Sequence, residues 1–151
     1  MPELIVVDTS CLIALSRINH IRLLNQVYDR LIVTPEIKQE FKFELPDWVE
    51  VRSTNSNRDL AVITSLVDLG EASAIEFCLK HTNSLLIIDD SKGRKLAKKL
   101  GVKVTGTHGV LVKAKKIGKI ELVKPYLDAL EKVDFRFDAK LKKMILQSVG
   151  E

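Results

Sequence analysis

Asp8 stands directly after Leu4-Ile5-Val6-Val7, and Asp89 and Asp90 stand directly after Leu85-Leu86-Ile87-Ile88. Each run is four consecutive apolar residues, the pattern of a strand buried on both faces of a parallel sheet. Each acid therefore falls where its strand should emerge. Glu71 follows Gly70 at an expected helix start, and Glu40 lies one turn after Glu36 on an expected helix over Pro35–Phe43. Acids crowded at one place repel one another and resist ionising unless a cation neutralises them. Carboxylate oxygens without Cys or His partners suit Mg²⁺ or Mn²⁺. Such an ion activates water and stabilises the attacking and leaving oxygens of a phosphodiester. Beside a basic surface, that is nuclease chemistry.

Each acid also has a plainer role. Asp8 or Asp90 could cap the following helix, Glu71 could favour a helix macrodipole, and Glu40 could lie on a solvated face. For Glu36 the plain role is accepted. For the others together it is not, because two independent strand ends carrying acids form a specific pattern.

The elements that must position these acids alternate along the chain. Strands are expected at Leu4–Val7, Leu31–Val33, Trp48–Arg52, Leu85–Ile88 and Val102–Val104. Helices are expected over Ser10–Ile18 with Ser10 as a hydroxyl cap, Ile21–Tyr28, Pro35–Phe43, Asp59–Leu69, Glu71–His81 and Ser91–Leu100. Gly70 separates two of them, and Ser53–Arg58 reads as a loop. From His108 onward the pattern is helical, broken near Gly118 and around Phe135-Arg136-Phe137. Strands alternating with helices predict a three-layer α/β/α sandwich on a parallel sheet of about five strands. Ligands of such sheets sit beyond the carboxyl ends of the strands. If the first and fourth strands are neighbours, their acids meet there.

The totals agree. With 151 residues, 46% hydrophobic and 29% charged, the chain suits one globular domain over 1–151. Its longest apolar runs are too short to span a bilayer, and Met1-Pro2-Glu3 opens no secretory signal, so a cytoplasmic protein is expected. Cys11 and Cys78 make no metal or disulfide spacing and read as buried thiols. The net charge of +4 fits a polyanion partner without requiring one. Arg94, Lys95 and Lys98 can lie along one side of a helix that begins at the acidic rim. Thr105 and Thr107 follow the last strand, where backbone N–H groups could hold a phosphate.

Val7-Asp8-Thr9-Ser10-Cys11-Leu12-Ile13 resembles the opening motif of PIN-domain proteins, many of which are Mg²⁺- or Mn²⁺-dependent ribonucleases, including VapC-type toxins. Pro35-Glu36-Ile37 with Glu40, Gly70-Glu71-Ala72-Ser73-Ala74-Ile75 and Leu86-Ile87-Ile88-Asp89-Asp90 are similar to the family's later acidic motifs. Thr105-Gly106-Thr107-His108-Gly109-Val110-Leu111, with Ala114-Lys115 after it, resembles a segment of the DUF3368-like branch. The likeness covers about 4–120, with C-terminal helices over 121–150. It implies a strand order of 3-2-1-4-5 and a ribonuclease site of Asp8, Glu40, Glu71 and Asp89. Metal ligands would be Asp8, Glu71, Asp89 and Asp90, with Thr9 and Ser10 in support. Between Asp89 and Asp90, Asp89 is favoured because it directly ends the strand. The implied partners are RNA, a cognate antitoxin if the chain is a toxin, and a second copy in a homodimer.

Glu71 stands where many toxin members carry aspartate, and His108 where this branch often has an apolar residue. A haloacid-dehalogenase-type phosphatase would need a second aspartate at Ser10. A phospho-receiver would need its acidic pair after the first strand. The remaining alternative is a catalytically silent PIN-like module that binds RNA or a protein.

Overall fold

The computed structural model describes residues 3–54 and 60–151. Its five parallel strands are β1 (Leu4–Val7), β2 (Leu31–Val33), β3 (Val49–Val51), β4 (Ser84–Ile87) and β5 (Val104–Thr105). They lie in the order β3-β2-β1-β4-β5, as expected, with helices flanking the sheet. Val7 pairs with Ile87 and Ile87 with Thr105, so the ends of β1, β4 and β5 are level. Val6 and Val7 are fully buried, and each such side chain contributes roughly 1.5–3 kcal/mol. That burial on both faces fixes which way each strand's terminal acid must leave the sheet.

The first helices are α1 (Thr9–Arg17), α2 (Arg22–Val27), α3 (Pro35–Glu40) and α4 (Leu60–Thr64). The remainder are α5 (Leu69–Lys80), α6 (Ser91–Lys99), α7 (Thr107–Lys116), α8 (Lys124–Lys132) and α9 (Ala139–Ser148). Helix α5 is buried from Gly70 to Cys78, on all sides, as befits a helix packed into the interior rather than onto it. A second apolar cluster, including Leu111, Leu127, Leu130 and Ile145, joins α7, α8 and α9. Cys11 and Cys78 are buried free thiols. No helix among the described residues is long and apolar enough to cross a membrane.

Several boundaries differ from the sequence reading. Helix α1 begins at Thr9 with Asp8 in the capping position, so Ser10 lies inside the helix and caps nothing. Helix α3 stops at Glu40, short of Phe43. The break expected at Gly70 falls at Asp68, whose carboxylate accepts the Glu71 amide at 2.9 Å and caps α5, which begins one residue before Gly70. Gly70 is needed there for space: a Cβ on it would stand 2.5 Å from the Glu40 carboxylate oxygens. Strand β4 ends at Ile87 instead of Ile88, and β5 starts at Val104 instead of Val102. Most of the Ser53–Arg58 loop and the helix start at Asp59 lie outside the described residues.

Candidate functional site

Two strand ends, the end of α3 and the start of α5 bring the acids to one rim. Asp8 leaves β1 with its amide hydrogen-bonded to the Ile87 carbonyl, 3.0 Å away, which ties it to the end of β4. Its side chain is buried and makes no capping hydrogen bond. Burial pushes its carboxyl up to about 7; the Thr9 amide opposes the shift, while the charges of Asp68, Glu40 and Asp89 add to it. Such a group is half-neutral near physiological pH unless a cation arrives.

Glu40 reaches the rim through a chain of local choices. Thr34 caps α3 by accepting the Ile37 amide, and Pro35 supplies the first-turn geometry. The Thr34 hydroxyl also meets Ser73 Oγ at 2.7 Å, locking α3 against α5. The Glu40 carboxylate then accepts the Thr9 hydroxyl at 2.7 Å and the Gly70 amide at 3.1 Å. Glu40 therefore joins α1, α3 and α5, and Thr9 holds the Glu40 carboxylate through that bond.

Glu71 is held differently from the other acids. It is buried, and its Oε2 has no hydrogen-bond partner among the described residues. Burial holds its carboxyl well above the usual range, with a hydrogen bond to Asp68 and the charges of Asp68, Asp8 and Asp90 adding to the rise. Asp68 escaped the sequence reading, although Asp68-Leu69-Gly70-Glu71 has the spacing of a capping box. Ser10 Oγ is likewise buried without a partner.

Asp89 is half-buried and oriented by α7. One oxygen accepts the Thr107 amide at 2.8 Å and the other the Thr107 hydroxyl at 2.6 Å. Thr107 is fully buried, so it orients Asp89 and has no group left for an RNA phosphate. Asp90 is exposed and accepts the Gly93 amide at 2.9 Å, capping α6. Its charge still bears on Glu71.

The basic residues lie to one side. Lys95 and Lys98 are exposed on α6, and the half-buried Arg94 donates to the Ile88 carbonyl at 2.9 Å. All three line a cleft that also holds Asp89 and His108. Burial lowers the His108 imidazole pKa, against the pull of Asp89 and with a further push from Arg94, so the ring favours its neutral form. Thr105 packs its hydroxyl against Gly109, where a Cβ would collide with it.

Among the described residues no three Asp, Glu, His or Cys side chains are set together to hold a metal ion as they stand. The donor chemistry nevertheless fits a hard cation. The donors are oxygens, two carboxyls are raised by burial and neighbouring charge, and one buried carboxylate oxygen is orphaned among the described residues. Mg²⁺ keeps several waters and needs only one or two direct carboxylates.

A 3-2-1-4-5 parallel sheet with carboxylates at the ends of its central strands defines an α/β/α protein, and sheets of this kind receive ligands at the switch point, here between β1 and β4. The chain belongs to the PIN-domain family: the family model DUF3368, described as a PIN domain, matches residues 4–151. No curated protein and no solved structure is significantly similar to it.

Proposed function

We propose that this protein is a metal-dependent ribonuclease acting on cytoplasmic RNA, with Mg²⁺ or Mn²⁺ held by Asp8, Glu71 and Asp89. PIN domains are generally nucleases. The observation that carries the reading is the unpartnered Glu71 Oε2, buried under the charges of Asp68, Asp8 and Asp90. An orphaned carboxylate oxygen in like-charged company is costly to the fold, and a cation would relieve that cost. When bound, the ion supplies positive charge to the phosphodiester's developing negative oxygens. The protein's own work is positional. Thr107 orients Asp89, Glu40 ties three helices under Asp8, and Asp90 caps α6 so that its basic side starts at the rim.

Calorimetric titration of Mn²⁺ into wild type, Asp8→Asn and Glu71→Gln, with cleavage of a labelled RNA, tests this. Wild type should take up the ion and cleave, and both variants should lose uptake and cleavage while remaining folded. Unchanged uptake in the variants would overturn the assignment. Growth arrest on expression of wild type but not of Asp8→Asn would extend the reading to a toxin role. The rival, a module that binds RNA without cutting it, is favoured by the absence of a closed acid triad among the described residues. RNA binding without Mn²⁺ uptake by the wild type would establish it.

A further inference from the structure

A cleft of about 460 Å³ opens beside Asp89, and the acidic site explains only part of its lining. Arg94, Lys95 and Lys98 of α6 border it on one side. Phe135, Arg136 and Phe137, from the loop between α8 and α9, border it as well. Two of the chain's five phenylalanines are in this loop. The loop has a defined shape. Asp134 adopts a left-handed φ of 66°, and the Phe135 amide donates to the Leu130 carbonyl at 3.0 Å. Both rings are half-buried on the apolar cluster that includes Leu127, Leu130 and Ile145. Their centroids are 5.3 Å apart and the rings tilt by 58°.

The packing beneath the loop asks only for apolar bulk, which leucine would supply. The two rings stand at a cleft whose charged lining is four cations, Arg94, Lys95, Lys98 and Arg136, against the carboxylate of Asp89. Cations attract a polyanion, and flat rings among them offer a surface on which bases stack. Single-stranded RNA is commonly held in this way, by bases splayed onto aromatic or arginine planes. An acidic peptide would satisfy the cations but would leave the two rings without a purpose.

We propose that this cleft is a nucleotide subsite of the candidate nuclease site, in which a base of single-stranded RNA stacks on the Phe135–Phe137 pair while Lys95, Lys98 and Arg136 hold the adjoining phosphates. The inference rests on the ribonuclease reading and adds to it the side from which the strand enters and a base-binding element that lies far along the chain from the acids of the candidate site.

The test uses octauridine and an abasic octamer of the same backbone, with binding followed by fluorescence anisotropy in the absence of divalent cation. Wild type should bind octauridine about tenfold more tightly than the abasic octamer. The double variant Phe135→Leu/Phe137→Leu, which keeps the packing under the loop, should bind both octamers alike and take up Mn²⁺ as wild type does. Arg136→Ala should lower the slope of log affinity against log salt by about one. If the leucine variant binds octauridine as tightly as wild type, the cleft has another occupant and the inference is overturned, while RNA cleavage by wild type would leave the ribonuclease reading intact. If wild type binds neither octamer, the inference is overturned, and cleavage of RNA with Mn²⁺ alone decides the ribonuclease reading.

Discussion

Glu71 Oε2 occupies the space in which a Cβ on Gly93 would begin, and Ile88 Cδ1 would stand 2.6 Å from that same Cβ. The first turn of α6 is therefore cut away to admit a carboxylate from α5. Alanine at 93 would gain up to about 1 kcal/mol of helix propensity. It would also force Glu71 and the buried Ile88 to shift, at a cost of roughly 1–3 kcal/mol. The steric cost should win. Gly93→Ala is expected to lower the melting temperature and to weaken Mn²⁺ uptake at least tenfold in calorimetry. A higher melting temperature with unchanged uptake would show that the Glu71 carboxylate has room to move.

Acidity should control the stability of the metal-free protein. Folding raises Asp8 from 3.8 to about 7 and Glu71 from 4.5 to about 9, mainly by burial. Between the ordinary and the raised values the folded protein keeps protons that the unfolded chain has lost. Stability is therefore full below about pH 4 and declines as pH climbs through 7 towards 9. For Asp8 the loss is on the order of 4 kcal/mol at most. Melting curves in chelator should fall in midpoint from pH 5 to pH 8, and saturating Mn²⁺ should remove or reverse the trend. Asp8→Asn should flatten the metal-free curve, and a wild-type midpoint that rises over this interval would contradict the account.

Asp89 and Asp90 are neighbours with different work. Asp89 is aimed by the amide and hydroxyl of Thr107, whereas Asp90 caps α6 through the Gly93 amide. Asp89→Asn should lower RNA cleavage on the order of 100-fold. Asp90→Asn keeps a good capping residue and should change both stability and cleavage little. Asp90→Ala should cost about 1 kcal/mol in denaturant unfolding through the lost cap. A larger loss of cleavage in Asp90→Asn than in Asp89→Asn would exchange the two roles.

Lys95 and Lys98 are exposed on α6, so removing them should leave the core intact. Replacing both with alanine should weaken binding to single-stranded RNA regardless of sequence and reduce the salt slope by about two. Mn²⁺ uptake should not change. Arg94 is a poorer choice for this test, because its guanidinium holds the Ile88 carbonyl beside the site. An unaltered slope in the double lysine variant would make the basic side of α6 an ordinary solvated face.

The strand ends that carry Asp8 and Asp89 could be read from the chain because four apolar residues in succession mark a doubly covered strand, and the acid that follows breaks the run. The start of α5 was misplaced for a local reason. Gly70 resembles a helix terminator, yet Asp68 and Glu71 stand at capping spacing, and the cap prevailed. Asp90 carried two readings of equal local merit until its carboxylate was seen on the Gly93 amide.

The sequence by itself determined the alternation of strands and helices, the PIN likeness and the residues that could do acid chemistry, because these depend on short-range patterning and on motif order. Only the tertiary structure decided what surrounds each acid. Glu40 meets Thr9 and Gly70 from 31 and 30 positions away, and Asp89 meets Thr107 across 18. Phe135 and Phe137 reach the cleft beside Asp89 from the far end of the chain. Burial and like charge, which raise Asp8 and Glu71, arise only when these distant segments pack together and exclude water.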